Sequence, residues 1–384
     1  MMRTAYVILL LSLAPAVVAA QIQWAGSLSL AGSQQIGKFR GEADSDINTS
    51  LKGQNPFSPV RARLFADTEI ADRFQVFMTI LYDEGLGHFE MEGAYVVMPS
   101  VGGHEAMNLQ IGKMATPFGR FAARSFATAN PVTGTPLIYQ YFSAIQGKVV
   151  PANVDQQLAW RHDRATYRGQ PTVYDACWNT GVQLFGSLPQ LAYAVAVTRG
   201  TLSNPDAADN DGVAVVGRVG LQPTMGWQIG ASASYGPYLQ QSAYDAGLFT
   251  RSGDIEDYSQ LVFGMDTQYS VWHCELIAEV LHSRWEVANV DEELSLWGGY
   301  VEASARLRPR LSWALRVGHM RYGDIIASDG TSQAWDDDIT RLESGLEFYL
   351  ARQAHVKAVW QHNRWANSAV SDVDLVGMQL AIDF

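Results

Sequence analysis

The chain lacks several features that would assign it to a common class. After its first twenty residues it has no apolar run long enough to cross a membrane as a helix. Basic residues are in the minority, 27 against 39 acidic ones, and the net charge of −12 argues against nucleic acid as a partner. It has two cysteines, Cys177 and Cys274, which we place on well-separated strands and do not expect to form a disulfide. A Gly-x-Ser-x-Gly elbow, a His-Glu-x-x-His pair and a phosphate-binding glycine loop are all missing.

The N-terminal segment has the features of a secretory signal peptide. Arg3 precedes an apolar run from Ala5 to Leu13, and Pro15 interrupts it. Val18-Ala19-Ala20 then supplies the small residues of a cleavage site. We predict a signal peptide over 1–20 and a mature chain over 21–384, with 26 basic and 39 acidic residues.

The mature chain is dominated by residues that alternate between apolar and polar, the pattern of strands with two different faces. Clear examples are 60–67 and 74–80. The pattern predicts sixteen strands, at 22–30, 59–68, 73–82, 88–98, 106–113, 174–187, 190–199, 211–222, 226–236, 257–269, 272–285, 295–307, 311–322, 338–350, 354–365 and 373–384. We therefore predict an all-β protein.

The connections between these strands alternate in length. Those after odd-numbered strands are mostly long or polar, and those after even-numbered strands are mostly short. This asymmetry is typical of a transmembrane antiparallel β-barrel with long loops at one rim, and not of a propeller or a sandwich. A secreted soluble β protein is the alternative.

The last segment, 376–384, puts large apolar residues at even positions and closes on Phe384. A barrel's closing strand must pair with the first and face lipid, which explains this pattern. An ordinary amphipathic edge strand is the simpler alternative. The segment resembles the final strand of bacterial outer-membrane proteins, and the resemblance implies recognition of Phe384 by the barrel assembly machinery.

The alternation also separates two predicted wall faces, because a charge facing lipid costs a few kcal/mol. The lipid face would carry Leu64, Phe74, Val76, Ile80, Tyr95, Leu109, Val195, Val215, Ile229, Trp313, Leu315, Val356, Trp360 and Leu380. The lumen face would carry most of the charged residues.

The longest connection, 114–173, is unusually apolar and aromatic for a loop. In water its aromatic residues, such as Phe118, Phe121 and Tyr139, would form a large exposed patch. We therefore expect this loop, called loop 3 below, to fold into the barrel and to leave Arg120, Arg124 and Lys148 near the remaining channel.

Several segments together resemble the sixteen-stranded general and phosphate-selective porins of Gram-negative bacteria. They are the strand end 111–113, the turn 116–120, the aromatic stretch 139–142, and Phe384. The resemblance implies passive diffusion, a homotrimer and a bacterial outer-membrane location. The acidic chain and the few basic residues in loop 3 depart from the phosphate-selective pattern.

A porin selects by width and by charge at its narrowest point. The residues we expect to line the pore or its constriction are Arg61, Arg63, Arg73, Glu90, Glu92, Lys113, Arg120, Arg124, Lys148, Arg316, Arg341 and Lys357. The alternative is that these charges pair across neighbouring strands and stabilise the wall.

We expect no catalytic residue, no metal site and no cofactor. The acidic clusters 254–257, 291–293 and 336–338 could hold calcium, although solvated loop charge is the simpler interpretation. His273, with Glu275 and Glu279 on one strand face, is a weaker metal candidate than a solvated lumen patch.

The sequence predicts an outer-membrane porin for small hydrophilic solutes or ions. A lipase-like barrel enzyme and a plugged structural or adhesive barrel are the alternatives. Outer-membrane lipid and lipopolysaccharide are the expected surroundings.

Overall fold

The computed structural model describes residues 21–37, 46–50, 52–71, 73–163, 169–245, 254–366 and 371–384. The predicted signal peptide, 1–20, lies outside the described residues. The strands are β1 (Gln23–Ile36), β2 (Val60–Ile70), β3 (Phe74–Asp83), β4 (His88–Met98), β5 (Asn108–Ala115), β6 (Trp178–Ser187), β7 (Leu191–Arg199), β8 (Ala214–Thr224), β9 (Trp227–Pro237), β10 (Ser259–Val271), β11 (Cys274–Trp285), β12 (Leu294–Arg308), β13 (Leu311–Tyr322), β14 (Asp324–Ile326), β15 (Ser332–Ala334), β16 (Ile339–Ala351), β17 (Ala354–Trp365) and β18 (Val373–Asp383). Three short helices are α1 (Leu137–Gln140), α2 (Val154–Trp160) and α3 (Gln241–Asp245).

Sixteen of these strands form one closed antiparallel barrel, in which β1 pairs with both β2 and β18. In the closing pair, Leu30 lies opposite Leu380 and Leu28 opposite Ile382. The prediction of a closed sixteen-stranded barrel is therefore confirmed. Among the described residues, no helix has the length and apolarity needed to cross a bilayer.

The short hairpin of β14 and β15 lies outside the barrel, in the connection between β13 and β16. The sequence does not predict this hairpin, because three residues per strand are too few to show an alternation. This connection belongs to the rim with the long loops, called the loop end below. The opposite rim, the turn end, carries short connections such as 188–190, 309–310 and 352–353.

The outer face carries the expected apolar residues, with Leu64, Val195 and Val215 among its exposed side chains. One predicted position is wrong. A bulge in β4 shifts the register between Thr79 and Ile80 of β3, so Tyr95 pairs with Phe77 in the lumen-facing register and stacks on its ring at 5.1 Å. The alternation therefore changes phase within β4, and Tyr95 does not face lipid.

The loop end of the lumen is filled by protein. Loop 3 folds inward as expected, and its apolar residues form a hydrophobic core with side chains from the barrel wall and the other loops. Leu137 and Ile138 of α1 and the wall residue Trp285 are each no more than 1 % exposed. The apolar composition of loop 3 is thus explained by burial inside the barrel.

Candidate functional site

Loop 3 enters the lumen through a tight turn at 116–120. The Thr116 hydroxyl donates to the Cys177 carbonyl at 2.5 Å, which joins the two ends of the loop. Gly119 has a φ of +59°, and a Cβ there would lie 2.1 Å from the Tyr139 hydroxyl oxygen. Only glycine accepts both this conformation and this contact. The turn therefore directs the loop across the barrel interior.

Glu279 of β11 anchors the turn from the wall. Its carboxylate accepts hydrogen bonds from the hydroxyls of Tyr139, at 2.5 Å, and Tyr300, at 2.6 Å. It also accepts from the backbone N–H of Arg120 at 3.3 Å. A buried carboxylate needs such donors, since burying an unpaired charge is costly.

On the β12–β17 wall, three predicted pore residues bind the backbone of loop 3. Arg316 donates to the Gly134 carbonyl at 2.7 Å, and Arg341 donates to the Thr135 carbonyl at 3.0 Å. Lys357 donates to the carbonyls of residues 127 and 130. All three side chains are at most 1 % exposed. They hold the loop in place and do not border open space.

The same wall compensates these cations with carboxylates. Arg316 lies 2.5 Å from Glu302 and 3.2 Å from Glu343, and Arg124 of the loop also pairs with Glu302. The predicted residues Arg124, Arg316, Arg341 and Lys357 are thus brought together. Loop 3 and this wall form a continuous buried network of ion pairs and hydrogen bonds.

On the β1–β4 wall, which β18 separates from β17, Arg61 and Arg63 lie beside acidic partners. Arg63 makes a bidentate pair with Glu92, with bonds of 2.7 and 2.9 Å. Arg61 lies 3.3 Å from Asp83, and its side chain keeps 12 % of its surface exposed. Arg63 is therefore satisfied by one carboxylate, whereas Arg61 still reaches water.

Glu90 and Lys113 extend this charged wall around the barrel to β5. Lys113 lies 3.6 Å from Glu90, and Lys52 lies 3.5 Å from the same carboxylate. Strands β4 and β5 pair only through 94–98 and 109–113, and the Lys113 ammonium donates to the carbonyl of Met91 at 2.6 Å. Lys113 thus donates to a carbonyl of β4 that has no partner strand on the β5 side.

Three small cavities, each of about 20 Å³, lie between loop 3 and this wall. A volume of this size accepts about one water molecule. Asp175 borders all three cavities, and Arg61 borders two of them. The cavities follow one another around the wall, from Lys113 of β5 to Arg63 of β2, so we call them the wall path.

Asp175 is a cavity residue that the sequence pattern does not predict. It precedes β6 in a left-handed conformation, with a φ of +45°. Burial raises the pKa of its carboxyl group, and the nearby Arg61 and Arg63 oppose that rise. No alternation or motif marks this residue, since its position depends on how the end of loop 3 turns back to the wall.

The remaining predicted residues lie apart from the wall path. Arg73 is exposed at the turn end, and Lys148 is exposed in the later part of loop 3. Arg120 reaches the β8–β10 wall, where it donates to the Gln228 side chain at 2.8 Å and lies 3.7 Å from Asp266. Burial lowers the pKa of Arg120, an effect that Asp266 opposes.

The acidic loop clusters make internal contacts. Asp336 accepts from the Ala144 backbone at 2.7 Å, Asp338 accepts from the Tyr322 backbone at 2.8 Å, and Glu293 pairs with Arg284 at 3.1 Å. In the part of the chain that the structure describes, no three metal-binding side chains converge. Calcium binding stays a prediction.

No protein-family model matches the chain, and no curated protein matches it. Solved structures do match. An anion-selective porin from Comamonas acidovorans is 8 % identical, with a TM-score of 0.58 over 95 % of this chain and 100 % of that one. A loop L8 deletion mutant of OmpT, an outer membrane protein of Vibrio cholerae, is 12 % identical, with a TM-score of 0.57 and coverage of 95 % and 100 %.

The outer membrane channel DcaP of Acinetobacter baumannii is 10 % identical, with a TM-score of 0.54 over 95 % of this chain and 97 % of that one. At such low identities the likeness concerns the fold alone. It covers the complete ring of strands. The chain therefore has the porin fold, a closed sixteen-stranded barrel typical of the bacterial outer membrane.

Proposed function

We propose that this chain is an outer-membrane channel for small ions and very small hydrophilic solutes, which cross the barrel beside the wall path. The observation that carries the proposal is the row of cavities beside Arg61 and Asp175, each with room for about one water molecule. The β12–β17 side offers no comparable route, because its charged side chains are buried against loop 3.

Charge along the wall path is of mixed sign. Arg61 faces Asp83 and Asp175, while Lys113 and Lys52 lie beside Glu90. Opposed charges across a narrow passage orient water and favour polar solutes over apolar ones. Arg61 is the partly exposed cation at the centre of the path, so it should influence ion preference most strongly.

Recording in planar bilayers tests the proposal. We expect small, stepwise conductance from the unmodified protein and a reversal potential that shifts toward cations in Arg61→Glu. Arg73→Glu and Lys148→Glu make the same charge change away from the wall path and serve as matched controls. An equal shift in the controls, or none in Arg61→Glu, would contradict the assignment of the path.

A plugged structural barrel is the second candidate, favoured by the hydrophobic core that loop 3 forms in the lumen. Persistent electrical silence of protein that is demonstrably folded and inserted would support it. A lipase-like enzyme has no comparable observation in its favour, and release of fatty acid from lipid by purified protein would decide for it.

We also propose that the channel is a homotrimer. Gly32, Ala62 and Ala94 lie in the outward register of β1, β2 and β4, where small side chains let a neighbouring barrel approach closely. One Vibrio cholerae OmpT structure is described as a trimer form. Light scattering of the detergent-solubilised protein measures the number of chains directly.

Recognition by the assembly machinery through Phe384 stays a prediction.

A further inference from the structure

A further cavity, of about 200 Å³, lies at the turn end of the lumen between loop 3 and strands β7–β9. Arg120 of loop 3 and Arg218 of β8 border it, and the connection 188–190 forms part of its rim. A water molecule needs about 10–15 Å³, so this cavity has room for a small organic molecule. It is separate from the wall path on β2–β5, and we call it the turn-end cavity.

One enclosed carboxylate holds both arginines beside the turn-end cavity. Arg218 Nη2 donates to the two oxygens of Asp266 at 2.6 and 2.8 Å. Arg120 Nη1 lies 3.7 Å from the same carboxylate, while its Nη2 donates to the side chains of Gln228 and Gln268. The Asp266 side chain is 1 % exposed, against 18 % for Arg120 and 19 % for Arg218. The carboxylate is therefore covered, and the two guanidinium groups face the cavity.

Each guanidinium keeps a terminal nitrogen available for a ligand. In the part of the chain that the structure describes, neither Nη1 of Arg120 nor Nη1 of Arg218 has a hydrogen-bond partner. Both nitrogens carry N–H donors on a permanently charged group. Two such donors beside one cavity are suited to an anion, since bonds between charged groups are the stronger ones.

Two glycines make the space in which Arg218 lies. Gly220 of β8 is paired directly with Gly230 of β9. A Cβ at Gly220 would lie 3.1 Å from Arg218 Nη1, and a Cβ at Gly230 would lie 2.4 Å from Arg218 Nη2. Any larger residue at Gly230 would displace the guanidinium, so this pair of glycines fixes the position of the charge.

The rim of the turn-end cavity adds uncharged polar groups. Gln190 and Gln222 border the cavity and are exposed. Within the described residues, neither side chain makes a hydrogen bond. An amide both donates and accepts, which is what a hydroxyl group needs. The rim therefore suits the hydroxylated part of a solute whose anionic end lies on the arginines.

The surrounding charge favours a carboxylate over a phosphate. The guanidinium fork fits both groups. Two carboxylates are close by, because Asp266 pairs with Arg218 and Glu279 accepts from the Arg120 backbone N–H at 3.3 Å. Their repulsion increases with the charge of the ligand, so a dianionic phosphate is disfavoured relative to a carboxylate with a single charge.

We propose that the turn-end cavity binds small hydroxycarboxylates, with the carboxylate on Nη1 of Arg120 and Arg218 and the hydroxyls on Gln190 and Gln222. The proposal deepens the channel function and rests on it in one respect, that the bound molecule is a solute which the channel carries. Binding itself does not require conduction.

Isothermal titration calorimetry of the detergent-solubilised protein, at constant ionic strength, tests the site. The probes are gluconate, acetate, which lacks the hydroxyls, sorbitol, which lacks the carboxylate, and inorganic phosphate. We expect gluconate to bind most tightly and sorbitol most weakly. Arg218→Lys keeps the charge beside Asp266 but loses the fork, and should weaken gluconate and acetate about tenfold. Arg73→Lys, at an exposed turn-end position, is the matched control and should change neither.

A second variant separates the rim from the arginines. Gln222→Ala should weaken gluconate and leave acetate unchanged, because only gluconate has hydroxyls for the amide. Gln353→Ala, another exposed glutamine of the turn end, is its control. Every variant is first checked for the heat-modifiable migration of a folded barrel, so that misfolding is not taken for lost binding.

Equal binding of gluconate and sorbitol would overturn the proposal, and so would tighter binding of phosphate than of gluconate. Unchanged gluconate binding in Gln222→Ala would remove the hydroxyls from the assignment and thus contradict it. Calorimetry needs no current, so its result is independent of the bilayer recordings. Gluconate binding by an electrically silent protein would support the site and contradict the channel function alone.

Discussion

Gly26 and Phe384 close the barrel through two backbone hydrogen bonds, of 2.7 Å from the Gly26 N–H and 2.9 Å from the Phe384 N–H. The Phe384 ring also covers Gly26, so that a Cβ at this position would lie only 2.5 Å from the ring. The glycine leaves the space that the aromatic ring occupies. The first and last strands are thus matched both in hydrogen bonding and in shape.

Gly26→Val should therefore destabilise the closed barrel by about 1–3 kcal/mol, the usual cost of overpacking. Gly217→Val is the matched control, because a Cβ at that position of β8 would lie 3.8 Å from its nearest neighbour, an ordinary contact. Urea unfolding in detergent or lipid vesicles measures the difference. Equal stabilities of the two variants would show that the contact between the ring and Gly26 is unimportant.

Lys357→Met should loosen loop 3. It leaves two buried carbonyls without their donor, at a cost of about 1–3 kcal/mol for each group. We expect larger single-channel conductance and faster protease cleavage within the loop. Lys148→Met removes an exposed lysine from the same loop and should change neither. Unchanged conductance and cleavage in Lys357→Met would show that the loop is held by its apolar core alone.

Replacement of both Arg120 and Arg124 by Glu should destabilise loop 3. The new carboxylates would lie close to Asp266 and Glu302, and the like charges would repel one another. Glutamine at both positions removes the positive charge without adding repulsion and should destabilise the loop less. Protease cleavage within loop 3 measures the difference, and the reversal potential should shift less than in Arg61→Glu, because both arginines lie apart from the wall path. A shift as large as that of Arg61→Glu would place the two arginines on the conducting route.

The two cysteines should differ in reactivity. Cys274 is exposed, whereas Cys177 is buried, and burial raises the pKa of its thiol to about 12. A maleimide at pH 8 should label one thiol in the folded protein and two after unfolding. The unfolded thiol ionises near pH 9, so this group should also reduce stability as the pH rises above 9. Rapid labelling of Cys177 in the folded barrel would contradict its burial.

The strand pattern was predictable because each wall strand has one face toward lipid and the other toward the lumen. The predicted strand 88–98 coincides with β4, and 354–365 coincides with β17. Tyr95 shows the limit of this reasoning. A single extra residue in β4 inverts the phase, and nothing in the local composition reveals where a bulge occurs.

The candidate site was only partly predictable. Alternation correctly assigned Arg316 and Lys357 to the lumen face, but it could not separate residues that border water from residues that bind a loop. That distinction depends on the path of loop 3 across the barrel. Asp175 illustrates the same point, since three cavities meet at a residue that belongs to no strand.

The contacts between the β12–β17 wall and loop 3 have a consequence for sequence variation. Arg316, Arg341 and Lys357 bind main-chain carbonyls at 127, 130, 134 and 135. Every amino acid carries a carbonyl, so mutations of Ala127 and Thr135 would leave these attachments intact. Gly134 is an exception, because a Cβ there would lie 2.0 Å from a carboxylate oxygen of Glu343. Side chains of loop 3 can therefore change during evolution, and the permeability of the protein with them, while the contacts that hold the loop are kept.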